Sequence, residues 1–312
     1  MARPLRHHPK RSVIEITTRT LQARYLLRPS PRMMLILQGI LARALARYGI
    51  EVHAFFYASN HYHLIISIPA VWDMAAFMAY LNGNTAREAA RLVDWTGRFW
   101  SRRYRSIEIL DDEAQVERMA YILSQGVKDG LIAHPTDWPG ATCVHALLDD
   151  TPVPGIWVDR TALYHARRTN PALTEDDFTE PTSFELTPLP VWAHLTHAER
   201  RIRIEALIDE VVAEGEKKNR EENRTPMGPR AVQHVNPHDS PASPKTGNAP
   251  RAHWRDPGHW FDHAIRFKVF LDEYSEASRR YLLGDSPVTF PDDCFAPPLT
   301  FADPRNLAIF PT

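Results

Sequence analysis

The chain reads as an α+β protein: a ferredoxin-like split βαβ arrangement with an antiparallel sheet, followed by a mainly helical, loop-rich C-terminal region. Three observations predict this. Period-2 and period-3.6 apolar patterns alternate in the order β-α-β-β-α-β, followed by a further helix, over about residues 12–125. Ser59-Asn60 joins two strand patterns so closely that an antiparallel hairpin is expected. After about residue 140 the composition changes, and Pro-rich segments separate short elements.

Residues 12–20 alternate and are rich in β-branched side chains, which predicts a strand. Residues 32–48 carry Leu, Ala and Arg with apolar positions at helical spacing, and Gly49 can cap the end. Residues 50–58 and 62–68 are the two strands of the hairpin. Residues 72–93 form a long helical pattern with Asp73 in the first turn, where a carboxylate complements the helix dipole. Residues 102–110 read as a strand, basic at first and apolar later. Asp111-Asp112 opens a helix to about Gln125, and Gly126 is expected to end it. Further on, 196–222 reads as a charged surface helix and 258–283 as an amphipathic helix ending at Gly284. Residues 224–257 lack periodicity and read as a linker, partly disordered, and the tail from Pro287 as extended. The expected division is a catalytic domain over 1–140 and an accessory region over 141–312.

Composition narrows the class. With 312 residues and 44% hydrophobic side chains, the chain can bury a full core. No charge-free apolar run is long enough to span a membrane, and the basic N-terminus lacks an apolar signal core, so a cytoplasmic location is expected. Cys143 and Cys294 stand in no ligand spacing and are expected as free thiols. The net charge of −1 hides an asymmetry: residues 1–130 hold 18 Lys and Arg against 11 Asp and Glu, and the remainder is net acidic. A basic half suits a polyanionic substrate.

The chemistry concentrates at Asn60-His61-Tyr62-His63. In a strand, residues two apart share a face, so His61 and His63 aim side by side while Tyr62 points the other way. A core has no use for two adjacent imidazoles, whereas a metal ion does. Two histidines do not fill a coordination sphere. The helix after 111 offers Tyr121 and Gln125 at i and i+4 on one face. Gln125 can give a neutral amide oxygen to a divalent cation, Mg²⁺ or Mn²⁺. Tyr121 can give a phenol, a nucleophile for a phosphate that the cation polarises.

Together, Asn60-His61-Tyr62-His63-Leu64, Phe99 to Ser106 and Tyr121-x-x-x-Gln125 resemble the HUH-type single-tyrosine transposases, with the REP-associated branch the nearest in pattern. The resemblance covers about residues 10–140, and Asp137-Trp138-Pro139 continues it. It implies an HUH nuclease core acting on single-stranded or hairpin DNA, as a monomer or a homodimer. His61, His63 and Gln125 are then the metal ligands and Tyr121 the nucleophile that cuts and rejoins DNA through a covalent phosphotyrosine. The sequence departs from the family at Tyr62, an aromatic between the histidines, and at Ile122-Leu123, where the branch carries Asn-Pro.

Arg19, Arg98, Arg102, Arg103 and Arg105 can grip phosphates, and Trp100 and Tyr104 can stack on bases. A solvated basic edge is the plain alternative for the arginines, and Tyr104 is the rival tyrosine. The other histidines take the plain reading: His259 and His263 stand at i and i+4, but no Glu follows His259 and the region is not otherwise site-like. A metal hydrolase of the His-x-His-x-Asp-His type is excluded by Leu64-Ile65-Ile66. The remaining alternative is a transposase-derived regulator that binds hairpin DNA without cutting it.

Overall fold

The computed structural model describes residues 5–242, 249–285 and 287–296. The first half builds β1 (Val13–Arg19), α1 (Pro31–Tyr48), β2 (Glu51–Tyr57), β3 (His61–Ser67), α2 (Val71–Leu92), β4 (Arg105–Ile109), α3 (Asp112–Leu123) and α4 (Gln125–Lys128). The second half adds α5 (Val144–Asp149), β5 (Val153–Val158), α6 (Arg160–Arg167), β6 (Thr179–Phe184), α7 (His197–Glu221), α8 (Pro229–His234), β7 (Ala252–His253) and α9 (Pro257–Leu282).

The main sheet runs β2-β3-β1-β4-β7. Each of the first four strands pairs antiparallel with its neighbour, in the order a split βαβ unit requires, and β7 joins parallel to β4. The expected α+β fold is therefore present. Strand alternation gives the sheet two unlike faces. Tyr62, Leu64 and Ile66 are fully buried on the side of α1 and α2, where the Tyr62 hydroxyl donates to Asn82 Oδ1 at 2.7 Å. The other face meets α3.

Local chemistry explains the helix ends. Ser30 Oγ accepts from the Met33 amide at 3.1 Å at the start of α1, and Gly49 takes a left-handed φ of 61° at its end. Asp111 caps α3 by accepting from the Ala114 amide at 2.8 Å. The same carboxylate also accepts from the Arg255 and Asp256 amides, at 2.8 and 3.1 Å, and so holds the chain leading into α9.

Three sequence expectations change. Gly126 does not end the helix: Ser124 keeps helical backbone angles and α4 continues to Lys128. Gly126 is there for space, because a Cβ would lie 2.6 Å from the Ile132 side chain. β4 begins at Arg105, so Arg102 and Arg103 lie in the preceding loop. Pro154 and Pro181, read as breakers, sit inside a two-stranded β5-β6 sheet that packs on α1. There Gly39 and Gly155 allow backbone-to-backbone contact, since a Cβ on Gly39 would meet the Ile156 carbonyl oxygen at 1.9 Å.

Within the stretch read as a linker, the described residues form α8 and β7. They are pinned to the N-terminal half through Tyr25 N to the Asp239 carbonyl at 2.9 Å, and through His238 Nε2 to the Val93 carbonyl at 2.7 Å. Residues 243–248 of that stretch, and the tail from 297, lie outside the described residues. α7 is anchored as well as charged, with Ile204, Ile208 and Val211 buried. Cys143 and Cys294 are free and buried. Among the described residues no helix is long and apolar enough to cross a membrane.

Candidate active site

The antiparallel register sets Arg19 opposite His61, Thr17 opposite His63 and Glu15 opposite Ile65. Residues paired across antiparallel strands share a face, so these polar side chains gather on the α3 side of the sheet. The two imidazoles lie 5.1 Å apart, centre to centre, with planes at 84°. α3 then lays Tyr121 against the pair, its ring 5.4 Å from that of His63. Gln125 is buried, and its amide nitrogen donates to the Tyr121 carbonyl at 2.9 Å. All four residues that the sequence singled out converge within one chain.

The histidines are oriented through Nδ1. That atom of His61 lies 2.7 Å from Asn60 Oδ1. In His63 it lies 2.9 Å from Glu15 Oε1 and 3.0 Å from Thr17 Oγ1. Burial lowers the pKa of His63, only partly opposed by Glu15, and burial with the nearby His63, Arg19 and Lys128 charges holds His61 well below its ordinary value. Both rings are thus kept neutral, the form that ligates metals.

Sequence reasoning missed the residues that tune this set. Glu15 is buried at 3% exposure and receives Arg118 Nε at 2.7 Å and a second Arg118 nitrogen at 3.1 Å. Burial alone would raise its pKa; His253, His63 and Arg118 outweigh burial and hold it well below the usual carboxylate range. Lys128 Nζ sits 3.7 Å and Arg118 Cζ 3.8 Å from the centre of the Tyr121 ring. Two cations thus hold the ring by cation–π attraction. Burial pushes the Tyr121 phenol up, but the Lys128 charge and hydrogen bonds from Lys128 and Gln125 outweigh it, and the net shift is downward. Arg118, Tyr121, Gln125 and Lys128 recur at helical spacing. That signal extends past Gly126, where the sequence reading stopped.

A divalent cation fits this donor set chemically. Each imidazole commits Nδ1 to the protein, which leaves Nε2 as the ligating nitrogen, and Gln125 commits its amide nitrogen, which leaves its oxygen. Among the described residues no three His, Cys, Asp or Glu gather as a metal cluster. The set is therefore two imidazoles and an amide, all neutral, and a cation held there keeps its charge for a phosphate.

The arginines and aromatics singled out earlier divide between two places. Arg19 and Arg105 flank the histidine face, Arg105 pairing across from Thr17. The others lie in the 98–104 loop on the α2 side. Arg98 donates to the Trp100 and Ser101 carbonyls, each at 2.7 Å, and Trp100 donates to the Asn82 carbonyl at 3.0 Å. Arg102 and Arg103 are exposed, and with Trp100 and Tyr104 they line a cleft of about 480 Å³ against α2. Tyr104 lies under Arg6 Cζ at 4.0 Å and is remote from the histidine face.

Comparison with known proteins adds a family. Residues 22–125, one third of the chain, match the family described as Transposase IS200 like. No curated protein matches the chain. Among solved structures, a REP-associated tyrosine transposase bound to a REP hairpin aligns at 14% identity and a TM-score of 0.40, covering 61% of this chain and 96% of that one. A putative transposase from Deinococcus radiodurans R1 aligns at 18% identity and a TM-score of 0.29, covering 40% of this chain and 98% of that one.

Proposed function

Because residues 22–125 carry the IS200-like transposase match, we propose that the chain is a metal-dependent DNA strand transferase of the single-tyrosine type, akin to the REP-associated branch. It cuts and rejoins single-stranded, hairpin-associated DNA in the cytoplasm through a covalent phosphotyrosine. The observation that carries the reading is the convergence of Tyr121, His61, His63 and Gln125, with the phenol pKa lowered beside Lys128.

In this reading His61, His63 and Gln125 hold Mg²⁺ or Mn²⁺, which when bound would polarise the scissile phosphate. Lys128 favours the phenolate of Tyr121, and its ammonium with the Arg118 guanidinium keeps the ring in place for attack. The phenol oxygen forms a bond to phosphorus as the bond to the leaving nucleotide oxygen breaks, and that oxygen takes up a proton. A DNA hydroxyl later attacks the phosphotyrosine, restores a phosphodiester and frees Tyr121. Arg19 and Arg105 flank the path of the strand across the site. The loop carrying Arg98, Trp100, Arg102, Arg103 and Tyr104 contacts DNA on the far side of the sheet. One chain supplies the whole set, so a monomer suffices.

The test is a denaturing gel of purified protein with a single-stranded hairpin oligonucleotide and Mg²⁺ or Mn²⁺. A covalent adduct is expected, and Tyr121→Phe should lose it while binding DNA normally. An adduct that survives Tyr121→Phe transfers the role to another nucleophile. Full affinity without cleavage in either metal favours the silent hairpin-binding regulator.

A further inference from the structure

A set of arginines with no role so far lies on the outer surface of α1 and α2. Gly39 and Gly155 bring β5 against α1, and the next side chain of β5 on that face is Trp157. Arg43, one helical turn after Gly39, lays its guanidinium over the Trp157 ring at 4.4 Å. One turn further, Arg47 sits 5.8 Å from the rings of both Tyr48 and Tyr80, which bridge α1 to α2 with their centres 5.9 Å apart. Two turns along α2 from Tyr80, Arg87 donates to Asn84 Oδ1 at 2.6 Å and lines a cleft of about 500 Å³ with Arg98, Arg102 and Arg103. Arg43, Arg47 and Arg87 are exposed, and among the described residues none of them pairs with a carboxylate. The nearby carboxylates are already taken: Glu88 holds Arg91 and Arg160, and Glu175 holds Arg32.

We infer that Arg43, Arg47 and Arg87 carry the DNA surface of the 98–104 loop across α2 to α1, where they bind the phosphodiester backbone of DNA outside the segment cut at Tyr121. Tyr121 lies across the sheet from α1 and α2, so this surface holds DNA without touching the reacting phosphate. A guanidinium resting on an aromatic ring has its plane fixed in advance, and its outer N–H edge stays open to an acceptor. Phosphate oxygens match that fork. A single carboxylate matches it too, but three forks spread over two adjacent helices call for an acceptor that repeats, as backbone phosphates do. Arg87 joins the two ends, because it lies in the cleft of Arg98, Arg102 and Arg103 and shares α2 with Tyr80. An arginine can also serve packing alone, by covering a ring with its stem. That role leaves the salt dependence of DNA binding untouched, which separates the two.

The inference rests on the proposed DNA role of the chain, and it concerns where DNA is held rather than how it is cut. The test is fluorescence anisotropy of the full chain with labelled DNA in metal-free buffer, read as the slope of log affinity against log salt. Each phosphate contact adds about 0.9 to that slope on duplex and about 0.7 on single strands. Arg43→Gln, Arg47→Gln and Arg87→Gln together are expected to make the slope shallower by about 2–3, while Lys at the same positions keeps it within about 0.5 of wild type. A control removes the same charge elsewhere: Arg201, Arg220 and Arg279 each pair with a glutamate of their own helix, and their Gln variants together should move the slope by less than about 0.5. A blunt hairpin and an unstructured oligonucleotide of equal length divide the sources, since the DNA whose slope falls is the one whose backbone is held. If the triple Gln variant fails to fold, Arg47→Gln with Arg87→Gln leaves the Arg43–Trp157 stack intact and carries the test, with an expected change of about 1.4–1.8. An unchanged slope, or a control that lowers it as much, overturns the inference. A wild type whose binding slope depends on the three arginines but which forms no adduct in Mg²⁺ or Mn²⁺ upholds this surface and overturns the strand-transfer reading. A wild type that forms the adduct with a slope indifferent to them does the reverse.

Discussion

The two faces of β3 differ within a single strand. Tyr62, Leu64 and Ile66 point into the α1–α2 side and are wholly buried among apolar neighbours. His61 and His63 point the other way, among Glu15, Thr17, Arg118 and Tyr121. The first face holds the strand in place by burial. The second holds polar groups in fixed directions, and it can do so because the first does not move. A site built on the back of a core strand inherits the rigidity of that core.

Exchanging side chains between the faces should break this division. Tyr62→Ala removes a fully buried ring and strands Asn82, with an expected cost of about 3–5 kcal/mol in a denaturant titration. An equally stable variant would show that this face does not carry the fold. His63→Ala should cost less stability than Tyr62→Ala, about 1–3 kcal/mol for the partner taken from buried Glu15, while Mn²⁺ affinity falls by more than about 100-fold, beyond what a supporting residue costs. Loss of stability without loss of affinity would place His63 with the core.

Two smaller effects sharpen the comparison by testing how the C-terminal half braces each side. Gly39→Ala forces α1 away from β5 behind the apolar face, for about 1–3 kcal/mol, read as a lower melting temperature with unchanged Mn²⁺ affinity. Asp111→Ala strips the α3 cap and the anchor of the segment before α9, for about 1–2 kcal/mol. Burial would raise the Asp111 pKa, but the Arg255, Ala114 and Asp256 amides outweigh it and the folded value is lowered. Its contribution is therefore complete above the unfolded carboxylate pKa, near 3.8, and fades as pH falls through the folded value. The stability gap between wild type and Asp111→Ala should narrow only below that point, and a gap that narrows at neutral pH would contradict the assignment.

The order of the first six elements was legible because each keeps one periodicity, and His61, His63, Tyr121 and Gln125 were legible because strand and helix spacing assign their faces locally. Lys128 was hidden by Gly126, which reads as a helix stop but is small to clear Ile132. Glu15 drew no notice of its own within the alternating 12–20 strand. Its alternation with Thr17 and Arg19 was the available signal, and only the β1–β3 register ties it to His63. β5 and β6 were concealed by their prolines, which a two-stranded sheet tolerates at its edges. His253 had no local signal, because its partner Glu15 lies across the sheet and over two hundred positions earlier.

Among the described residues, β7, at the edge of the main sheet, is also the last strand to be synthesised. Every residue from β1 to Lys128 leaves the ribosome before Ala252–His253 exists. At about 5–20 residues per second, the chain between Lys128 and His253 takes roughly 6–25 s to make. For that interval a nascent chain carries the tyrosine and the histidine pair before His253 can approach Glu15. A fragment ending before β7 would therefore hold Tyr121, His61 and His63 without the strand that lies beside β4.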